Sequence, residues 1–70
     1  MADEFIEDLT AREIQVLQEL ANGRSTSSIA QMLFISEHTV KQHLRHVNEK
    51  FGAQNRTHAV TIAFRRGLIQ

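Results

Sequence analysis

Several residue types are missing from this chain of 70 residues, and each absence narrows the class of protein. There is no cysteine, which excludes disulfides and thiolate-bound metal sites. No apolar run approaches the roughly 20 residues that cross a bilayer, and no signal peptide is visible. We therefore expect a cytoplasmic protein without membrane contact.

The formal charges cancel over the whole chain, but they are unevenly distributed along it. The formal net charge is zero, whereas residues 1–19 carry −5 and residues 20–70 carry +5. A polyanion responds to the local field, so the basic part suits a nucleic-acid partner. An ordinary mixed surface behind an acidic leader fits the charges equally well, and charge alone leaves both interpretations open.

Proline is absent, and the three glycines mark the expected helix ends. Gly23, Gly52 and Gly67 each follow a stretch with helical spacing, where a left-handed C-terminal cap is wanted. The pattern predicts an all-α domain of four helices over residues 9–70. The acidic leader, residues 1–8, is expected to be partly disordered.

Cap residues stand where each helix should begin. The expected caps are Thr10, which forms a TARE capping box with Glu13, followed by Ser25, Ser36 and Asn55. Only a short turn separates the second helix from the third, which indicates a helix-turn-helix. In the first helix a core-facing stripe is expected, with Val16 at its edge: Ile14, Leu17, Leu20 and Ala21.

The third helix combines a thin apolar seam with a broad polar face. At about 100° per residue, four apolar residues share an arc of roughly 60°: Val40, Leu44, Val47 and Phe51. The opposite side and its flank carry His38, Lys41, Gln42, Arg45 and Glu49. Such a helix needs little contact with the core and presents most of its surface outward.

The outward side chains suit the DNA major groove. Lys41 and Arg45 can donate to guanine or phosphate, and Gln42 can pair with an adenine edge. Hydroxyls and free backbone N–H groups at two helix starts suit phosphates, namely those of Ser25, Thr26, Ser27, Ser36 and Thr39. The alternative is a plain solvated face, because Glu37 with Lys41 and Arg45 with Glu49 are ordinary i,i+4 pairs.

Metal binding and catalysis find little support. His43 and His46 form a His-x-x-His pair, a weak metal signal with no carboxylate or cysteine at ligand spacing beside it. No glycine-rich phosphate loop, GxSxG motif or cysteine nucleophile is present. We expect no enzyme activity, cofactor, metal or small-molecule substrate in this domain.

The fourth helix has a wider apolar arc than one core contact requires. Its apolar positions span about 200°, and they include Val60, Ile62 and Phe64. We favour a dimer surface formed by these three residues. The alternative is that Ile62 or Phe64 packs against the tail residues that follow the helix.

The sequence from Leu9 to Ile69 resembles the LuxR-type DNA-binding domain, which also occurs in the NarL/FixJ response regulators. The motifs that carry the resemblance are LTARE, IAQMLFIS, TVKQH, NRTHAV and GLI. It implies a four-helix domain whose third helix enters the major groove of double-stranded DNA. By position, Lys41, Gln42 and Arg45 would contact DNA, Thr26, Ser27 and Thr39 would touch phosphates, and the fourth helix would form a homodimer.

Departures from the family pattern concern the helix starts. Ser28 and His58 stand where the family often has Glu, and a basic residue is common where Ser27 stands. We therefore expect a bacterial transcription regulator's DNA-binding domain, with weaker phosphate contact at the second helix. The alternative from another class is a small helical protein-interaction module without DNA binding.

Overall fold

The computed structural model describes residues 9–70, in which four helices and no strand occur. We number them α1 (Ala11–Ala21), α2 (Thr26–Leu33), α3 (Glu37–Phe51) and α4 (Arg56–Arg65). The all-α fold with four helices is thus confirmed. The proposed leader, residues 1–8, lies outside the described residues.

Each helix begins at the cap residue that the sequence predicts. Thr10 and Glu13 form the complete capping box: the Glu13 N–H donates to Thr10 Oγ1 (3.0 Å), and the Thr10 N–H donates to Glu13 Oε1 (2.9 Å). The side chains of Ser25, Ser36 and Asn55 accept from the N–H group three residues on. These contacts are local, which explains why the sequence alone locates them.

The helix ends follow the glycines with one exception. Gly52 caps α3 in the left-handed conformation, with φ of 66°. α2 instead ends on Phe34, which holds φ 59° and ψ 40° although it carries a side chain. The Ile35 N–H donates to the Ala30 carbonyl (3.0 Å), which closes the turn in the manner of a glycine cap.

α3 lies at the centre of the fold and packs against each of the other three helices. Its seam is buried at Val40, Leu44 and Val47, as predicted, while Phe51 is partly buried. Around it lie the other buried apolar residues: Val16, Leu17, Ile29, Ala30, Ala59, Ala63 and Ile69. Burying this thin stripe leaves the rest of α3 outside the core.

The buried face of α1 differs from the predicted stripe. Val16 is fully buried with Leu17, and Glu13 is buried beside them, whereas Ala21 is exposed. The buried face of α1 is therefore centred closer to Val16 and Glu13 than the predicted stripe, and the Glu13 carboxylate contacts Lys50 of α3. Among the helices of residues 9–70, none has the length and hydropathy to cross a membrane.

Candidate nucleic-acid interface

The outward face of α3 is uncovered along its first three turns. His38, Lys41, Gln42 and Arg45 are all exposed, opposite the buried seam. Lys41 lies 3.9 Å from Glu37, whereas no ion pair joins Arg45 to Glu49 within the described residues. The face therefore offers donors of ammonium, guanidinium, amide and imidazole type that no other part of residues 9–70 covers.

Two hydroxyl groups, from Ser36 and Thr39, cap the N-terminus of α3. Ser36 Oγ accepts from the Thr39 N–H (3.0 Å) and lies 2.9 Å from Thr39 Oγ1. Thr39 is half-buried and Ser36 is exposed. The two hydroxyls hold the first turn in place, and the remaining N–H groups of that turn have no helical acceptor.

At the start of α2 the structure separates two residues that the sequence groups together. Ser27 is exposed, but Thr26 is only 7% exposed, and its hydroxyl donates to Glu37 Oε2 at 2.7 Å. The proton of the Thr26 hydroxyl is thus engaged within the protein. Sequence spacing gives no sign of this bond, since it joins residues of two different helices.

A buried carboxylate anchors the far end of α3. Glu13 on α1 is 3% exposed, and Lys50 donates to its Oε1 at 2.9 Å. Burial by itself would raise the pKa of Glu13, but the Lys50 hydrogen bond, the Thr10 N–H and the charges of Lys50 and His43 together hold that pKa below its ordinary value. The ionised form therefore stabilises the fold.

The histidine pair of α3 lies toward this carboxylate. His46 Nδ1 is 4.0 Å from Glu13 Oε2, and His43 is half-buried on the same flank. Within the part of the chain that the structure describes, no group of three or more potential ligands could hold a metal ion. The sequence predicts Glu13 only as the capping-box partner of Thr10, because Lys50 is too distant in sequence for any motif to link them.

The α4 surface combines an exposed aromatic ring with a shallow groove. Phe64 is 64% exposed, and Val60 and Ile62 are partly exposed. Two adjoining depressions of about 270 and 240 Å³ share Ala21 and Val60. The remaining lining residues are Leu20, Arg56, Thr57, Phe64 and Gln70.

The tail after α4 is held by α1 and the core. Ile69 is 3% exposed, and Gln70 exchanges two hydrogen bonds with the Gln18 side chain, at 2.8 and 2.9 Å. Leu68 is partly buried against the core. The tail thus closes one end of the groove and leaves Phe64 largely exposed.

Comparison with known proteins matches this arrangement to one family. The family described as "Bacterial regulatory proteins, luxR family" matches residues 7–63. The chain is 46% identical over 69 residues to the uncharacterized transcriptional regulatory protein YxjL of Bacillus subtilis, covering 99% of this chain and 32% of that protein. It is 42% identical over 62 residues to the nitrate/nitrite response regulator protein homolog of Haemophilus influenzae, covering 89% and 30%.

The same fold occurs in solved structures. The transcription factor GerE superposes with a TM-score of 0.86 at 35% identity, over 89% of this chain and 92% of that chain. The response regulator ChrA of a heme-sensing two-component system gives 0.84 at 51% identity, over 90% of this chain and 31% of that chain. The chain spans about a third of the length of the curated relatives named above. It belongs to the LuxR family of bacterial regulatory proteins, whose members are transcription regulators and not enzymes.

Proposed function

We propose that this domain binds double-stranded DNA sequence-specifically, with α3 in the major groove, as the DNA-binding part of a bacterial transcription regulator acting in the cytoplasm. The observation that carries the proposal is the bare polar face of α3, where His38, Gln42 and Arg45 are exposed opposite a buried seam. A helix fits the major groove when one face is free and carries donors for base edges. Membership of a family of transcription regulators supports the same partner.

The side chains divide between base reading and positioning. Lys41 and Arg45 are donors for guanine acceptors or phosphates, and Gln42 can exchange two hydrogen bonds with adenine. His38 lies on the same face, one helical turn before Gln42. These four residues set which sequence is preferred and how strongly the phosphates are held.

Phosphate contacts come from the two helix starts. Ser27 is exposed at the start of α2, and Ser36 and Thr39 lie at the start of α3. Thr26 contributes through its backbone N–H, since its hydroxyl proton is donated to Glu37. Helix N-termini attract phosphate through such N–H groups and the helix dipole.

Binding to a selected duplex tests this assignment. Arg45→Ala should weaken binding by about 1–3 kcal/mol and relax base preference if Arg45 reads a base, or reduce the salt slope by about one if it holds a phosphate. Arg12→Ala removes the same charge from the exposed side of α1 and is the matched control. Unchanged affinity of both Arg45→Ala and Lys41→Ala would remove α3 from the interface.

Salt dependence separates DNA binding from a protein-interaction module. Affinity for a random duplex should fall steeply as salt rises, because each neutralised phosphate releases counterions. A wild-type protein that binds no duplex at low salt would refute the proposal. In that event the α4 surface would be the candidate working surface.

We further propose that two copies pair through α4, using Val60 and Phe64. Ile62, which the sequence also predicts in this contact, lies about 160° from both around the helix axis and lines neither depression. The exposed Phe64 ring and the adjoining groove support this, because an apolar ring beside a depression suits a self-complementary two-fold contact. Two α3 helices would then lie about 34 Å apart, one DNA turn, on an inverted repeat. Dimer formation would raise the apparent affinity of a small module.

Sedimentation measurements test the dimer surface. Phe64→Glu should abolish self-association on or off DNA, because a carboxylate cannot be buried unpaired in an apolar contact. Phe34→Glu is the matched control, since Phe34 is 94% exposed and lies in the turn before α3. Equal self-association in both variants and the wild type would exclude α4 as the contact.

A further inference from the structure

Glu37 is a negative charge placed at the end of α3 that the proposed function turns toward DNA. It is the acidic residue of the first turn of α3, next to the Ser36 cap. The helix dipole stabilises a carboxylate at this position, but the same negative charge repels phosphate. Helix stability alone therefore does not account for a carboxylate that would weaken DNA binding.

The carboxylate is fixed by a second helix. Glu37 Oε2 accepts a hydrogen bond of 2.7 Å from the hydroxyl of Thr26, which is 7% exposed. An exposed glutamate on a solvated helix normally moves among several rotamers. This one is tied to a buried group of α2, so its charge stays beside the starts of both helices.

The same oxygen lies near a side chain that is proposed to contact DNA. Lys41 Nζ lies 3.9 Å from Glu37 Oε2, one helical turn along α3. Both side chains are about half exposed, at 56% and 45%, so water screens the pair and its effect on stability is small. The Glu37 carboxylate still affects the position of the Lys41 ammonium and the local electrostatic field.

We propose that Glu37 is a specificity-determining residue that weakens binding to arbitrary DNA more than binding to the target. The inference rests on the proposed DNA-binding function. Binding without sequence preference depends almost entirely on phosphate charge, which a fixed carboxylate opposes. At the target site, Lys41 gains a base acceptor that offsets the loss of its contact with Glu37, whereas elsewhere it gains none.

The test compares two single-charge variants of one helix. Glu37→Gln and Glu49→Gln each remove one negative charge from an exposed position of α3, so the change in net charge is identical. Affinities are measured by fluorescence anisotropy for a duplex selected with the wild type and for a random duplex. Thermal melts confirm that each variant is folded at the assay temperature.

The expected result is a larger gain on random DNA for the Glu37 variant. Its affinity for the random duplex should rise about two- to fivefold more than that of the Glu49 variant, the range that one screened charge pair gives. Its salt slope should steepen by about 0.9, as Lys41 becomes free to hold one phosphate. The ratio of target to random affinity should fall.

Thr26→Val separates the anchor from the charge. Valine replaces the hydroxyl with a methyl group of similar shape, so Glu37 keeps its charge but loses the bond to α2. Its random-duplex affinity should lie between those of the wild type and the Glu37 variant. An unchanged affinity would show that the anchor has no part.

Two negative outcomes are distinguishable. If the Glu37 and Glu49 variants gain equally on random DNA, or the target-to-random ratio is unchanged, Glu37 acts only through net charge and the inference fails. If the wild-type protein binds neither duplex, the proposed function fails together with the inference.

Discussion

Replacing Lys50 by methionine tests the buried contact between α1 and α3. Lys50 donates to Glu13 Oε1 at 2.9 Å, and the Glu13 side chain is 4% exposed whereas that of Lys50 is 32% exposed. Methionine keeps most of the aliphatic length and removes the ammonium. The variant therefore leaves a buried carboxylate that, among the described residues, keeps a hydrogen bond from the Thr10 N–H.

The expected loss lies between two limits. Breaking a fully buried ion pair costs about 3–5 kcal/mol, and a hydrogen bond to a charged group contributes about 1.5–3 kcal/mol. Since the Lys50 side chain is one-third exposed, we expect the variant to lose about 2 kcal/mol of unfolding free energy, within the range for a hydrogen bond to a charged group. For a domain of this size that corresponds to a fall in Tm of roughly 8–16 °C.

The pH dependence of the loss gives the sharper readout. In the wild type the pKa of Glu13 is lower in the folded chain than in the unfolded one, so its stabilisation is present above about pH 4.3 and disappears as pH falls through the folded-state pKa. Without the Lys50 ammonium, burial raises the pKa of Glu13. Protonation of this carboxylate then removes the free-energy cost of a buried charge. The gap in Tm between the two proteins should therefore be largest at pH 7 and shrink below about pH 4.

Melting curves at pH 7 and pH 3.5 to 4 measure this gap. Lys41→Met is the matched control, because Lys41 lies in the same helix, 3.9 Å from its carboxylate, with both side chains about half exposed. Its loss should be within about 0.5 kcal/mol at either pH. A Lys50 gap that is the same at both pH values would mean that the side chain acts by packing, which would refute the electrostatic argument.

Two further predictions concern the left-handed positions. Gly52→Ala should lower Tm by about 4–8 °C in melting curves. The new methyl group meets nothing within 4 Å, so the cost is the backbone strain of alanine at φ +66°, about 1 kcal/mol. Phe34→Gly should leave Tm unchanged or raise it slightly, because the ring is 94% exposed at φ 59°; a loss of about 3–5 kcal/mol, as for a core phenylalanine, would show that the ring packs in solution.

The parts of the fold that the sequence predicts are those set by local chemistry. The Thr10 box and the Ser36 cap depend on residues three apart, and the Gly52 cap depends on one backbone conformation. The buried seam of α3 follows from helical periodicity alone. Such features need no knowledge of what the helix packs against.

The parts that were missed depend on partners distant in sequence. Glu13 fits a capping box completely, so nothing in the sequence signals that Lys50, 37 residues later, also binds it. Thr26 fits a phosphate-facing hydroxyl, but the fold places it under Glu37. Phe34 takes the left-handed conformation because the turn between α2 and α3 requires it, where sequence rules expect glycine or asparagine.

These two missed contacts explain how a helix with so narrow a seam keeps a defined orientation. A stripe of apolar side chains resists rotation about the helix axis poorly, since small rotations expose little additional area. Measured from Val40, Glu37 lies about 60° to one side of the seam and Lys50 about 80° to the other, some 20 Å apart along the axis. One bond ties α3 to α2 and the other ties it to α1, so rotation in either direction stretches a polar contact to a buried residue. The direction of the bare face is therefore fixed at both ends by buried polar groups, and neither bond occupies the face that Gln42 and Arg45 present.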